Sequence, residues 1–280
     1  MSEPPVSSPQ RVALGDLPAI RAVDVGVKFL IRYHRSEVTL RETFVRLLRL
    51  LSHGGPRDGR WTQEFWALRN IDFEAYPGDI VGIVGRNGSG KSTLLRTLAG
   101  ICEADCGHVE VRGKVGCLLS FGVGFNPNLS GRENVYLNGS ILGLRRREID
   151  ARFAEIVDFC ELGAFIDAPV RTYSAGMRGK LGFSIAIHID PDVLLLDEVL
   201  SVGDSAFRAK AGSILDRFRS AHKTVVIATH SMNLVREACN KALWLHDGEI
   251  RAAGDPKQVI AAYTASQPAA AKKVAQTQDD

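Results

Sequence analysis

One stretch, "IVGIVGRNGSGKSTLLRTLAG", constrains this chain more than any other. Its opening residues, Ile80–Val84, are apolar on both faces, which suits a strand buried inside a parallel sheet. The glycine loop that follows matches G-x-x-x-x-G-K-[ST] and runs into a helix that stops at Gly100. A strand, loop and helix in that order belong to a layered α/β core. Gly85, Gly88 and Gly90 let the backbone curl until its N–H groups face one anion. The helix points its positive end at the same anion. Lys91 supplies a point charge to the β and γ phosphates, and the Ser92 hydroxyl is placed to ligate Mg2+. Asn87, Ser89 and Thr93 complete the loop expected to bind nucleotide. A chance glycine turn would not come with both flanking elements.

Two more apolar strands end in groups that phosphate binding alone does not need. "DVLLLDE" places Asp197 and Glu198 at the carboxyl edge of a sheet, where ligands bind in open α/β folds. Asp197 is expected to hold the metal through water, leaving Glu198 to polarise an attacking water as general base. "TVVIATHS" repeats the geometry and ends in His230, which can hydrogen-bond a γ-phosphate and the attacking water together. Acidic pairs also cap helices, and histidines at strand ends are also structural. The phosphate loop favours the chemical reading of all three.

Composition narrows the class. With 45% apolar and 24% charged residues, 280 residues build one elaborated domain. The net charge of +3 is too small to argue for nucleic acid. The excess is local, with eight Lys/Arg against three Asp/Glu between positions 28 and 60. Five cysteines with no CxxC pair read as free thiols in a reducing compartment. Cys102 and Cys106 could share a metal, but no third ligand is near in sequence. The first ten residues lack an apolar signal core, and no apolar run approaches the ~20 residues of a membrane span.

Along the chain, "AIRAVDVGVKF" predicts a strand near 19–29, and Pro77-Gly78 separates two further strands. A long helical stretch lies between the two main strands, and "KALWLHDGEIRAAG" reads as a closing hairpin. Residues 1–18 and 266–280 are expected to be flexible.

"RTYSAGMRGK" is a second Ser-x-Gly element, and taken alone it is a helix cap at Ser174. The order phosphate loop, "YSAGM", "LLLDE", "SVGD", "ATH" resembles the ATPase subunit of ABC transporters over about residues 19–265. The resemblance implies a P-loop NTPase (RecA-like) core with an antiparallel β subdomain and an inserted helical subdomain at about 128–185. It also implies a head-to-tail pair of chains, in which Ser174 and Gly176 cover the γ-phosphate bound by the other chain's Lys91. Asp204, ending "SVGD", falls where such subunits touch. The adenine-stacking aromatic would be Phe29, with Tyr33 as the alternative.

"GFNPNLSGRENVYLNG" and "TYSAGMRGKLGFSIA" are similar to the members that export O-antigen, capsule or teichoic acid on lipid carriers. Where most members carry a metal-sensing glutamine, this chain has "LLSFGVGF", and neither Ser120 nor Phe121 is assigned that role. An insertion at 34–65 repeats Leu40, Phe44, Leu47, Leu48 and Leu51 at helical spacing, with arginines on other faces. A core-packed helix, a partner-binding helix, a membrane-surface helix and a basic DNA patch compete for such a stretch, a packed or partner-binding helix being the common case. Exporters of this type similarly carry a helix near the cytoplasmic mouth of the channel, where it could lie against anionic headgroups. The resemblance implies ATP and Mg2+ as cofactors, an integral membrane permease subunit and a second copy as partners, and a lipid-linked glycan as cargo. Some members add a carbohydrate-binding domain; here a short polar stretch follows Ser266, so sugar selectivity is expected in the membrane partner. The expected location is the cytoplasmic face of the cell membrane, with no nucleic acid bound. The alternatives are a soluble ABC ATPase acting on nucleic acid or ribosomes, and an ATP-dependent regulatory module.

Overall fold

The computed structural model describes residues 17–32, 62–119, 124–198 and 205–267. Tyr33, the helical spacing at 40–51, Ser120, Phe121 and Asp204 lie outside them. Two sheets organise the chain. Strand β1 (Ile20–Arg32) is central to a three-stranded antiparallel sheet, between β2 (Thr62–Ala75) and β4 (Cys106–Val111). Strand β2 thus begins at Thr62, inside the stretch 34–65 read as an insertion.

The second sheet has six strands in the order β5-β6-β7-β3-β8-β9. These are β3 (Ile80–Val84), β5 (Val115–Leu118), β6 (Val193–Asp197), β7 (Thr224–Ala228), β8 (Lys241–His246) and β9 (Glu249–Gly254). All neighbours run parallel except β9, which returns antiparallel to β8 at the edge. The apolar runs are buried for a simple reason. In β3, Ile80 and Val84 enter one core while Val81 and Ile83 enter the other, and β6 and β7 divide their side chains in the same way. A strand sandwiched between two layers cannot alternate with polar residues.

Helices α1 (Lys91–Leu98), α5 (Ser205–Ser220), α6 (Met232–Ala238) and α7 (Pro256–Ser266) flank this sheet. Helices α2 (Gly131–Ile141), α3 (Arg146–Cys160) and α4 (Ala175–His188) share a third core. Helix α4 joins the two bodies. Leu181 and Ile185 pack into the helical core, while Phe183, Ala186 and Ile187 pack against the sheet. A helix apolar on all sides must be buried on all sides, and residues 181–187 are. Among the described residues, no helix is long and apolar enough to cross a membrane. All five thiols are free, and Cys106 opens β4 rather than sharing a helical turn with Cys102.

The candidate nucleotide site

Ile83 of β3, Ala228 of β7 and Asp197 of β6 are paired side by side, so three strands end at one edge of the sheet. The glycine loop, the acidic pair and His230 leave from that edge. This is how residues far apart in sequence become neighbours.

The loop is held tightly from below. A Cβ on Gly85 would approach the Leu245 carbonyl oxygen to 2.3 Å, and one on Gly90 would approach the Ala67 carbonyl oxygen to 2.6 Å. Gly90 also has a φ of 104°, open to glycine at little cost. Gly248 donates its N–H to the Ser89 carbonyl at 3.0 Å, tying the β8–β9 turn beneath the loop. The outer side is open: a Cβ on Gly88 would meet nothing within 4 Å among the described residues. Asn87 is exposed beside it.

Several features suit an anion there. Helix α1 begins at Gly90 with no side chain capping its N–H groups. The Ser89 hydroxyl oxygen is buried without a hydrogen-bond partner among the described residues. The Lys91 ammonium folds back onto the loop, donating to the carbonyls of Gly85 at 2.9 Å and Arg86 at 3.0 Å. Burial lowers the Lys91 pKa, and Glu198 and Asp197 oppose that shift. Thr93 is half-buried in the first turn, its carbonyl accepting from the Thr97 hydroxyl at 2.9 Å.

Asp197 is buried at the end of β6. Burial raises its pKa, while a hydrogen bond from Ser92 and the charge of Lys91 lower it. These residues fit a nucleotide carrying Mg2+: Ser92 and Asp197 form a contiguous oxygen pair beside an ammonium and an uncapped helix. Glu198 follows with φ of 58°, a left-handed backbone that costs a non-glycine residue about 1–2 kcal/mol. Its N–H donates to the Ala228 carbonyl at 2.8 Å, which holds that conformation. Strain of this kind concentrates at functional sites. The half-exposed Glu198 carboxylate lies 2.9 Å from His230 Nε2.

The raised Asp197 pKa has a measurable sign. The folded state holds that proton more tightly than the unfolded state, so this group lowers stability as pH rises through the ordinary carboxylate range towards its raised value. Asp197→Asn removes that dependence. Across this window the melting temperature of the nucleotide-free parent should fall relative to the variant's; parallel curves would contradict the burial argument.

Ser174 and Gly176 are elsewhere. They line a cleft with Glu161, Leu162, Phe165, Met177 and Lys180, and no residue of the loop 85–93 contributes to it. Ser174 caps α4, its hydroxyl oxygen accepting from the Met177 N–H at 3.2 Å. The cap reading thus holds within one chain, and Ser174 remains exposed. Phe29 is 46% exposed on β1, directly across from Phe65 at 49% on β2. Phe65, two residues before the Ala67 that supports Gly90, is a second flat apolar face that the sequence reading missed. The pairing register identifies it; periodicity in one strand does not.

The family model described as ABC transporter matches residues 68–201. The O-antigen export system ATP-binding protein RfbB of Myxococcus xanthus is 44% identical over 248 residues, spanning 88% of this chain and 56% of that protein. The protein of the same name from Klebsiella pneumoniae is 41% identical over 201 residues, spanning 72% of this chain and 82% of that one. The teichoic acids export ATP-binding protein TagH of Enterococcus faecalis is 45% identical, over 72% of this chain and 45% of its own length. The chain thus spans about half the length of these first and third relatives. A solved ATP-binding cassette, dimeric in a post-hydrolysis state with ADP and Pi, superimposes with a TM-score of 0.65 at 22% identity, covering 85% of this chain and 98% of that one. An ATP-binding subunit of an ABC transporter gives 0.66 at 17% identity, over 88% and 93%. At such identities these two likenesses speak for the fold.

Proposed function

Because the chain belongs to the ABC transporter family of ATP-binding proteins, with the O-antigen and teichoic acid export members among its relatives, we propose that it hydrolyses ATP to drive export of a lipid-linked polysaccharide through a separate membrane subunit. The observation that supports this most is the convergence of Lys91, Asp197, Glu198 and His230 on one sheet edge beneath an uncapped helix.

The residues divide the work. The loop amides and Lys91 bind the phosphates once the ammonium leaves the carbonyls of Gly85 and Arg86 for a stronger, charged acceptor. Mg2+, when bound through Ser92 and Asp197, neutralises phosphate charge. Glu198 accepts the proton of the attacking water, and His230, touching Glu198, orients that water and the γ-phosphate. Phe29 stacks on adenine, with Phe65 beside it.

Ser174 and Gly176 face a second copy, arranged head to tail. That no residue of their own chain's loop 85–93 lines their cleft supports that reading, since an exposed helix N-terminus is built to meet an anion. Nucleotide then forms part of the contact between copies, and hydrolysis releases it. Asp204 belongs to the same contact by sequence. The membrane subunit responds to that closure at the cytoplasmic face.

Depleting the protein in its own cells should make an undecorated lipid-linked glycan accumulate on the cytoplasmic side of the membrane. Unchanged glycan, with salt-sensitive retention of the protein on nucleic acid, would contradict the export reading.

A further inference from the structure

Asn134 sits in the second turn of α2 and has no exposed surface. Asparagine is a poor helix former, because its side chain competes for backbone groups. Here the competition is put to use. The Asn134 carboxamide nitrogen donates to the carbonyls of Asn126 at 3.0 Å, Leu129 at 3.2 Å and Ser130 at 2.9 Å. Its oxygen accepts the Asn126 N–H at 2.8 Å. Turned over, the amide would set its oxygen against three carbonyls, so these partners fix its orientation. One buried side chain therefore holds the whole turn 126–130 against its helix.

That turn is laced to the segment leading to Ser174. Val170 donates to the Leu129 carbonyl and Arg171 to the Pro127 carbonyl, both at 2.9 Å, while Gly131 donates to the Ala168 carbonyl at 3.2 Å. Ser130 and Pro169 form an antiparallel bridge, and Arg132 pairs with Asp167 at 2.7 Å. Tyr173, buried, donates its hydroxyl to the Phe165 carbonyl at 2.5 Å. A Cβ on Gly131 would strike that hydroxyl oxygen at 2.3 Å, so the start of α2 lies hard against Tyr173. Ser174 is the next residue.

We infer that Asn134 is a positioning residue, which through the turn 126–130 fixes the loop that delivers Ser174 and Gly176 to a neighbouring copy's nucleotide. The inference rests on the head-to-tail reading above. It separates two properties of one chain. Nucleotide binding at Lys91 does not involve this lacing, whereas closure onto a second chain does.

The test uses the full chain carrying Glu198→Gln, with ATP and Mg2+, and reads the dimer dissociation constant by sedimentation. Adding Asn134→Ser should raise that constant about tenfold, since a buried hydrogen-bonded unit is lost. ATP affinity of the monomer should stay within about twofold, because the loop 85–93 is untouched. In a chain already carrying Ser174→Ala, Asn134→Ser should add little, as both act on one contact. Arg132→Gln loosens the same lacing from an exposed position, so it tests the idea should Asn134→Ser fail to fold; a smaller rise in the same direction is expected. An unchanged dimer constant in both variants would overturn the inference. So would parallel loss of monomer ATP affinity, or a full tenfold effect persisting beside Ser174→Ala. Failure of the Glu198→Gln chain itself to pair would instead overturn the head-to-tail reading.

Discussion

Glu198→Gln is expected to bind ATP as tightly as the parent, to lose hydrolysis by roughly a hundred- to ten-thousand-fold, and to accumulate as a closed dimer. Glutamine keeps the size of the side chain and the hydrogen bond towards His230, which lies 2.9 Å away. It cannot take the proton from water. Every phosphate contact survives, because the loop, Lys91 and Ser92 lie on another segment, and the neighbouring Asp197 carboxylate is left unchanged. The left-handed backbone at position 198 is as accessible to glutamine as to glutamate, so the fold should be indifferent to the change. Nucleotide turnover and sedimentation check the result together. A variant that hydrolyses at the parental rate would remove Glu198 from its role.

Lys91→Ala should fail one step earlier. The ammonium is buried and reaches two loop carbonyls when no phosphate is present. Losing it removes charge-assisted bonds to the β and γ phosphates, and ATP affinity should fall about ten- to a hundredfold. The stability of the nucleotide-free protein should change little, because the cost of burying the ammonium, which lowers its pKa, offsets its two hydrogen bonds to loop carbonyls. Equilibrium binding of ATP to the monomer measures the first effect, and thermal unfolding the second. Ser174→Ala should do the reverse. It leaves the affinity of the monomer intact and weakens pairing, at the cost of a helix cap of about 1 kcal/mol.

The contrast between what the sequence reveals and what it hides follows from where the constraint sits. β3, β6 and β7 are legible because strands buried on both faces admit no polar residues, and their ends mark the site. The phosphate loop is legible because its glycines and lysine match one motif in fixed spacing between a strand and a helix. Strands β4 and β5 carry no such pattern: β4 is mostly exposed along its length, and its alternation is weak. The supports of the site are hidden for another reason. The Leu245 carbonyl beneath Gly85 and the Gly248 N–H on Ser89 act through backbone, which any residue could supply. Phe65 becomes a candidate only when the register sets it opposite Phe29. Asn134 reads as an ordinary polar residue on a helix, yet it is fully buried, because its partners are carbonyls of a turn four to eight residues back. Ser174 is the instructive middle case. Its local role as a cap is written in the sequence and present in the fold, and the proposed role towards a second copy depends on an edge that one chain leaves exposed.

The account depends on each nucleotide being shared by two copies, and mixing two inactive variants tests that directly. Lys91→Ala retains an intact Ser174, and Ser174→Ala retains an intact phosphate loop, so a mixed pair contains one complete site built from both chains. Each variant alone should hydrolyse almost no ATP, and the mixture should regain a substantial part of the parental rate. If the mixture stays as inactive as its components at concentrations where the parent pairs, the two halves of the site do not come from different copies.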